Sequence, residues 1–274
     1  MANKTYKIVV LTELKDTISA TLNSSVSLAK LINAEINLLC LENPTDVVKK
    51  DNQLSAMREI NGKYTVVNKT LKTLTQAVAK DFCVPINYSF VVGQIKDEIK
   101  KYIKEQQPDI IVIGKRKSKL LKMAGGNLTK YILKYHPGTI LITDESNTIT
   151  PNKILNLGVL NGNNQMADID LLKPLISQTQ KPIKSFKIVD DLNATTDDRL
   201  AIDTETVEFV FGQNNNAIAT LSNYLEKSNV NLLYIDRTKS KSNGDNMLKK
   251  DLNTMINELN VSLLLSAENH TSLA

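Results

Sequence analysis

Apolar residues along this chain fall into two alternating rhythms. Short runs that are apolar at most positions, and rich in β-branched residues, occur at 7–11 (KIVVL), 35–41 (EINLLCL), 110–113 (IIVI) and 139–143 (TILIT). Such runs fit strands covered on both faces, the situation of a parallel sheet. The stretch PINYSFVV at 85–92 alternates and reads as a further strand. Between these runs the apolar period lengthens to that of a helix. Ile18, Leu22, Val26, Leu28, Ala29 and Ile32 mark one over 16–33; Val67, Leu71, Leu74, Ala77 and Val78 mark another over 64–81. Ile95, Ile99, Tyr102 and Ile103 mark a third, and Leu128, Tyr131, Ile132 and Tyr135 a fourth with both tyrosines turned inward. The polar, charge-mixed stretch 43–61 reads as a connection entering a helix, and Pro137-Gly138 stops the fourth one.

The resulting order is β-α-β-α-β-α-β-α-β, without hairpin signals. Regular alternation of this kind argues a doubly wound α/β sheet with helices on both faces. Residues 144–151 (DESNTITP) form a polar bridge, after which the pattern starts again. Lys153-Ile154-Leu155 echoes Lys7-Ile8-Val9, and Phe211-Gly212-Gln213 echoes Val92-Gly93-Gln94, which sets Ile218 against Ile99. Asn231-Leu-Leu-Tyr-Ile235 echoes 109–113 and is followed by Arg237-Thr238-Lys239 against Lys115-Arg116-Lys117. A helix over 247–259 and a strand over 261–265 close the chain. The expected architecture is two tandem doubly wound domains with five-stranded parallel sheets, 1–146 and a shorter 151–274. The strands at 139–143 and 261–265 are candidates to pair within one chain.

Length and composition agree with this division: 274 residues suit two domains of roughly 130–140 residues. No segment reaches the ~20 consecutive apolar residues of a membrane span, and MANKTYKIVV enters a strand without a secretory h-region, so a cytoplasmic protein is expected. Cys40 and Cys83 are too few for a disulfide framework and read as small buried hydrophobes. His136 and His270 are too sparse for a histidine metal site. Charge changes the picture more. Residues 1–150 hold 22 Lys+Arg against 14 Asp+Glu, or +8, whereas residues 151–274 hold 12 against 15, or −3. No acid lies between Asp109 and Asp144, while Lys115, Arg116, Lys117, Lys119 and Lys122 crowd into eight positions. Positive potential therefore concentrates after the strand at 110–113, which favours a small anionic ligand.

That stretch is a strand closed by Gly114, a basic loop, Gly125-Gly126-Asn127, a helix and a strand. Ligands bind doubly wound sheets at such a place, outside the carboxyl end of a strand and facing a helix N-terminus. The segment resembles the nucleotide loop of the universal stress protein family, G-x2-G-x9-G-[ST]. Gly114 matches the first glycine, Lys117 stands at the second, and Gly126-Asn127 replaces the glycine-hydroxyl pair one residue early. The resemblance implies a universal stress protein fold of the adenine nucleotide α-hydrolase type, with ATP or AMP as the nucleotide of the first domain. It places Thr12 and Glu13, at the end of the first strand, beside the adenine or ribose. Leu41 becomes the apolar adenine contact, and Gly114, Lys115, Arg116, Lys117, Gly126 and Asn127 surround the phosphates. Glycine suits a phosphate cradle because backbone N–H groups can close on the oxygens. A lysine at 117 obstructs that closure, while its charge and those of its neighbours can bond phosphate directly.

In the second half Asp236 takes the place of Gly114, Val159 or its neighbours the place of Glu13, and no glycine pair precedes the last helix, so no nucleotide is expected there. That half is expected to pair with the first as an internal partner, with a homodimer left open. No G-x-S-x-G elbow, intact Walker loop, H-E-x-x-H or Cys/His zinc spacing occurs. The expectation is a non-enzymatic stress-response protein. A slow ATP hydrolase using Glu13 is the alternative, and a nucleic-acid binder ranks last because the aromatic residues near the basic stretch read as inward-facing.

Overall fold

The computed structural model of the chain describes residues 5–13, 18–47, 52–115, 128–162, 169–189, 205–214, 216–237 and 247–267. It divides into two compact units, Met1–His136 and Pro137–Ala274. The fold is mixed α/β with mostly parallel strands, as the alternating pattern implies.

In the first unit β1 (Tyr6–Thr12), β2 (Ala34–Glu42), β3 (Ile86–Val92) and β4 (Ile110–Gly114) run parallel in the order β3-β2-β1-β4. Ile8, Val9, Val10, Ile36, Leu38, Ile110, Ile111 and Val112 are fully buried, which explains why these runs do not alternate. Helix α1 (Ile18–Ile32) packs on β1, β2 and β4; the short α2 (Pro44–Val47) precedes α3 (Gln53–Phe82), which packs on β3. The sequence places the start of α3 eleven residues too late. Its true start is capped by Asn52, whose side-chain oxygen accepts the Leu54 N–H at 3.0 Å. The first turns carry no buried apolar stripe, with Leu54 67% and Met57 56% exposed, so periodicity cannot reveal them. At the other end Cys83 is the left-handed C-cap (φ 55°) and is exposed, not a buried hydrophobe. Helices α4 (Ile95–Gln106) and α5 (Leu128–Tyr135) follow among the described residues, and α4 ends where Gln107 turns left-handed (φ 45°) ahead of Pro108.

The second unit opens with β5 (Thr139–Thr143), which the sequence assigns to the end of the first domain. The expected pairing with the last strand, β10 (Ser262–Leu265), is present and antiparallel, with Leu141 opposite Leu264. The remaining strands are parallel: β10 on β9 (Leu232–Ile235), β9 on β6 (Leu157–Leu160), β6 on β7 (Ile183–Val189) and β7 on β8 (Thr206–Gly212). Helices α6 (Leu172–Gln178), α7 (Ala217–Lys227) and α8 (Met247–Glu258) link them. The polar bridge is pinned within this unit. The Asp144 N–H donates to Ser262 Oγ at 3.1 Å, and the Asn147 side-chain amide donates to the carbonyls of Val230 and Asn260 at 3.0 and 3.3 Å.

The repeat survives, with its register corrected. Asp109 N–H donates to Lys7 O at 3.0 Å and Lys7 N–H to Asp109 Oδ2 at 2.9 Å; Asn231 and Asn156 make the same reciprocal pair at 3.1 and 2.9 Å. The pairing of Ile8 with Ile110 then matches that of Leu157 with Leu232. Leu157, not Ile154, stands at Ile8's place, and Ile154 is 66% exposed outside the strand. Gly212 pairs with Val189 as Val92 pairs with Glu42, so Gln213 occupies the place of Gly93. Counting from each helix start, the fully buried partner of Ile99 is Leu221 rather than Ile218. Runs apolar at every position carry no internal register mark, which is why the polar residues that bracket them decide it.

Candidate functional site

In the first unit β1 has β2 on one side and β4 on the other, so the strand order reverses there and three carboxyl ends lie together. Thr12 pairs with Cys40, and Leu11 with Ile113. One step further along the same register sets Thr12 beside Gly114 and Glu13 beside Leu41. The structure therefore brings together five of the candidate residues: Thr12, Glu13, Leu41, Gly114 and Lys115. Thr12 is buried and its hydroxyl donates to the Glu13 carbonyl at 2.9 Å, while Glu13 itself is half-buried. Leu41 is 1% exposed and supplies an apolar floor. Lys115, which a basic surface loop would hold in solvent, is only 3% exposed. Arg116, Lys117, Gly126 and Asn127 lie outside the described residues. Among the described residues no group of three or more His, Cys, Asp or Glu is placed to hold a metal ion.

The corresponding edge of the second unit is chemically different. By register Asn161-Gly162 stands at Thr12-Glu13, which narrows the sequence alignment to Val159 or its neighbours down to Gly162 and leaves the position without an acid. Asp236 stands at Gly114 and is buried; it accepts the Ser266 hydroxyl at 3.0 Å instead of facing outward. Arg237, the counterpart of Lys115, turns inward, its backbone N–H donating to Ser266 Oγ at 2.8 Å and its guanidinium to the carbonyls of Ser266 and Gly138. Below them, rows that are apolar in the first unit become polar: Leu38, Cys40 and Val112 give way to Ser185, Lys187 and Tyr234. Lys187 pairs with Glu208 at 2.6 Å. Tyrosine in place of valine fills space at the strand end, and the carboxylate removes the close backbone approach that glycine allows. The sequence hides these substitutions until the repeat is set in register.

Burial, and then the Asp236 carboxylate, push the Tyr234 phenol up from its ordinary value. The unfolded chain, with a phenol pKa of about 10, then loses this proton first as pH rises. Stability from the neutral phenol is full below about pH 10 and falls as pH climbs toward the folded-state value. Tyr234→Phe is expected to flatten the alkaline limb of a stability-versus-pH curve measured by urea unfolding. An unchanged limb in the variant counts against this role.

A doubly wound parallel sheet with its candidate site at the strand-order reversal defines the class as a nucleotide-type α/β fold. The sequence model of the Universal stress protein family matches residues 5–143, and the chain belongs to that family. Among solved structures, a universal stress protein from Archaeoglobus fulgidus DSM 4304 superimposes with a TM-score of 0.70 at 15% identity, over 96% of this chain and 97% of the other. A putative universal stress protein from Pseudomonas aeruginosa UCBPP-PA14 gives 0.56 at 14% identity, over 96% and 94%. A functionally unknown protein from Pseudomonas aeruginosa PAO1 gives 0.58 at 12% identity, over 96% and 93%. At these identities the likeness is one of fold. Among curated proteins none matches the sequence significantly.

Proposed function

We propose that this is a non-enzymatic stress-response protein of the cytosol whose first unit binds an adenine nucleotide, ATP or AMP, or another small anion. Its second unit is structural and serves as an internal partner. The observation that carries the reading is the convergence of Thr12, Glu13, Leu41, Gly114 and the buried Lys115 at the strand-order reversal. That edge brings together an apolar residue for a base, polar groups for a ribose and a lysine for phosphate. In the second unit a buried aspartate replaces the glycine and a phenol fills the row below it, which removes the close backbone approach that a phosphate needs.

Calorimetric titration with ATP, ADP and AMP tests the proposal. Weak, millimolar-range binding is expected, lost in Lys115→Ala and strengthened in Lys117→Gly, which restores the family's glycine. Absence of heat at millimolar nucleotide sinks it. ATP turnover that disappears in Glu13→Gln would replace it with the hydrolase reading.

A further inference from the structure

The sequence ranks nucleic-acid binding last because Tyr131 and Tyr135 read as inward-facing. Tyr135 instead stands at the surface, 47% exposed, at the end of α5. Tyr131 is half-buried beside it, with ring centroids 4.5 Å apart, and its hydroxyl donates to the Lys96 carbonyl on α4 at 3.0 Å. Ammonium groups flank both rings: Lys96 Nζ lies 5.8 Å from the Tyr131 centroid and Lys134 Nζ 5.4 Å from that of Tyr135. Two helices of one unit thus present an aromatic pair bordered by cations.

The charge around this pair is patterned. Lys96, Lys100 and Lys104 recur at i, i+4 and i+8 on α4, and Lys130 and Lys134 at i, i+4 on α5. Lys100, Lys104, Lys130 and Lys134 are exposed. Helix α5 contains no acid; of the three acids on α4, Glu98 folds back over Gly93, leaving Asp97 and Glu105 against six lysines, Lys101 included. Separated cations beside an exposed ring match a chain of phosphates carrying splayed bases better than a single small anion.

We propose that the α4–α5 face binds single-stranded nucleic acid, with a base stacked on Tyr135 and the backbone phosphates tracked by Lys96, Lys100, Lys104, Lys130 and Lys134. The surface is built from the two helices rather than from the strand ends, and the proposal does not depend on nucleotide binding there. Fluorescence anisotropy with labelled oligothymidylate and oligouridylate on the full chain tests it. Five phosphate contacts predict a slope of log K against log salt of roughly −3.5, falling to roughly −2 in the Lys130→Gln/Lys134→Gln double variant. Tyr135→Ala is expected to weaken binding about tenfold, and Tyr135→Phe to leave it nearly unchanged. Lys69→Gln/Lys72→Gln on α3 serves as a charge-matched control and should have little effect. Binding that ignores Tyr135→Ala, or that falls equally in the α3 control, means generic polyanion attraction and overturns the proposal. So does failure to bind either oligonucleotide at low salt. A preference between the two oligonucleotides assigns the partner to DNA or RNA.

Discussion

Replacing Arg237 by alanine is expected to destabilise the protein by about 3 kcal/mol, because the charged hydrogen bonds of its guanidinium vanish inside the fold. Arg237 is 8% exposed, and its guanidinium holds the carbonyls of Ser266, just past β10, and Gly138, just before β5. Without it both carbonyls lose a charged donor in a place where water enters poorly. Arg237→Lys should recover only part of the loss, since an ammonium on a shorter stem lacks the fork that reaches two carbonyls at once. Urea unfolding midpoints of the two variants check this. An Arg237→Ala change within about 0.5 kcal/mol of wild type, the usual scale of a surface substitution, would contradict the assignment.

The second large effect is expected at Gly158, in the middle of β6. The register places it at Val9 of the first unit, yet a Cβ there would meet Val230 Cγ1 at 3.0 Å, Phe186 Cε2 at 3.1 Å and Leu233 Cδ1 at 3.2 Å. Phe186 is fully buried and occupies the place of Leu39, so the larger ring has taken the volume that valine fills in the first unit. Gly158→Ala should cost about 1–3 kcal/mol by overpacking, and Gly158→Val more. Combining Gly158→Val with Phe186→Leu restores the first unit's pairing and should recover much of the stability. Thermal unfolding of the two single variants and the double variant measures the coupling. Purely additive losses would refute the volume exchange.

How much of this was legible follows from where each structure stores its information. Strands such as 110–113 and 139–143 announce themselves, because burial on both faces demands apolar residues at every position. The same uniformity erases register, so the sequence echoes Lys7 at Lys153, whereas the bracketing pair Asn156 and Asn231 marks the true alignment. The first turns of α3 leave no periodic mark because they rest on the Asn52 cap and local propensity rather than on a buried stripe. At the site, residue types pointed to strand ends that the register brings together, those of Thr12, Glu13, Leu41 and Gly114. Burial of Lys115 and the inward turn of Arg237 could not be read, since lysine and arginine in a basic run look solvated until the fold encloses them. The same holds in reverse for Tyr135, whose helical spacing looked internal although it ends the helix at the surface.

The antiparallel ladder between β5 and β10 bears on any attempt to express the halves separately. Cutting the gene at the hydrophilic bridge would send β5 off with the wrong fragment and strip a neighbour from β10, a strand buried at all four positions. Such naked edges invite promiscuous self-association. A scission point at the helix-ending Pro137 keeps that ladder in one polypeptide.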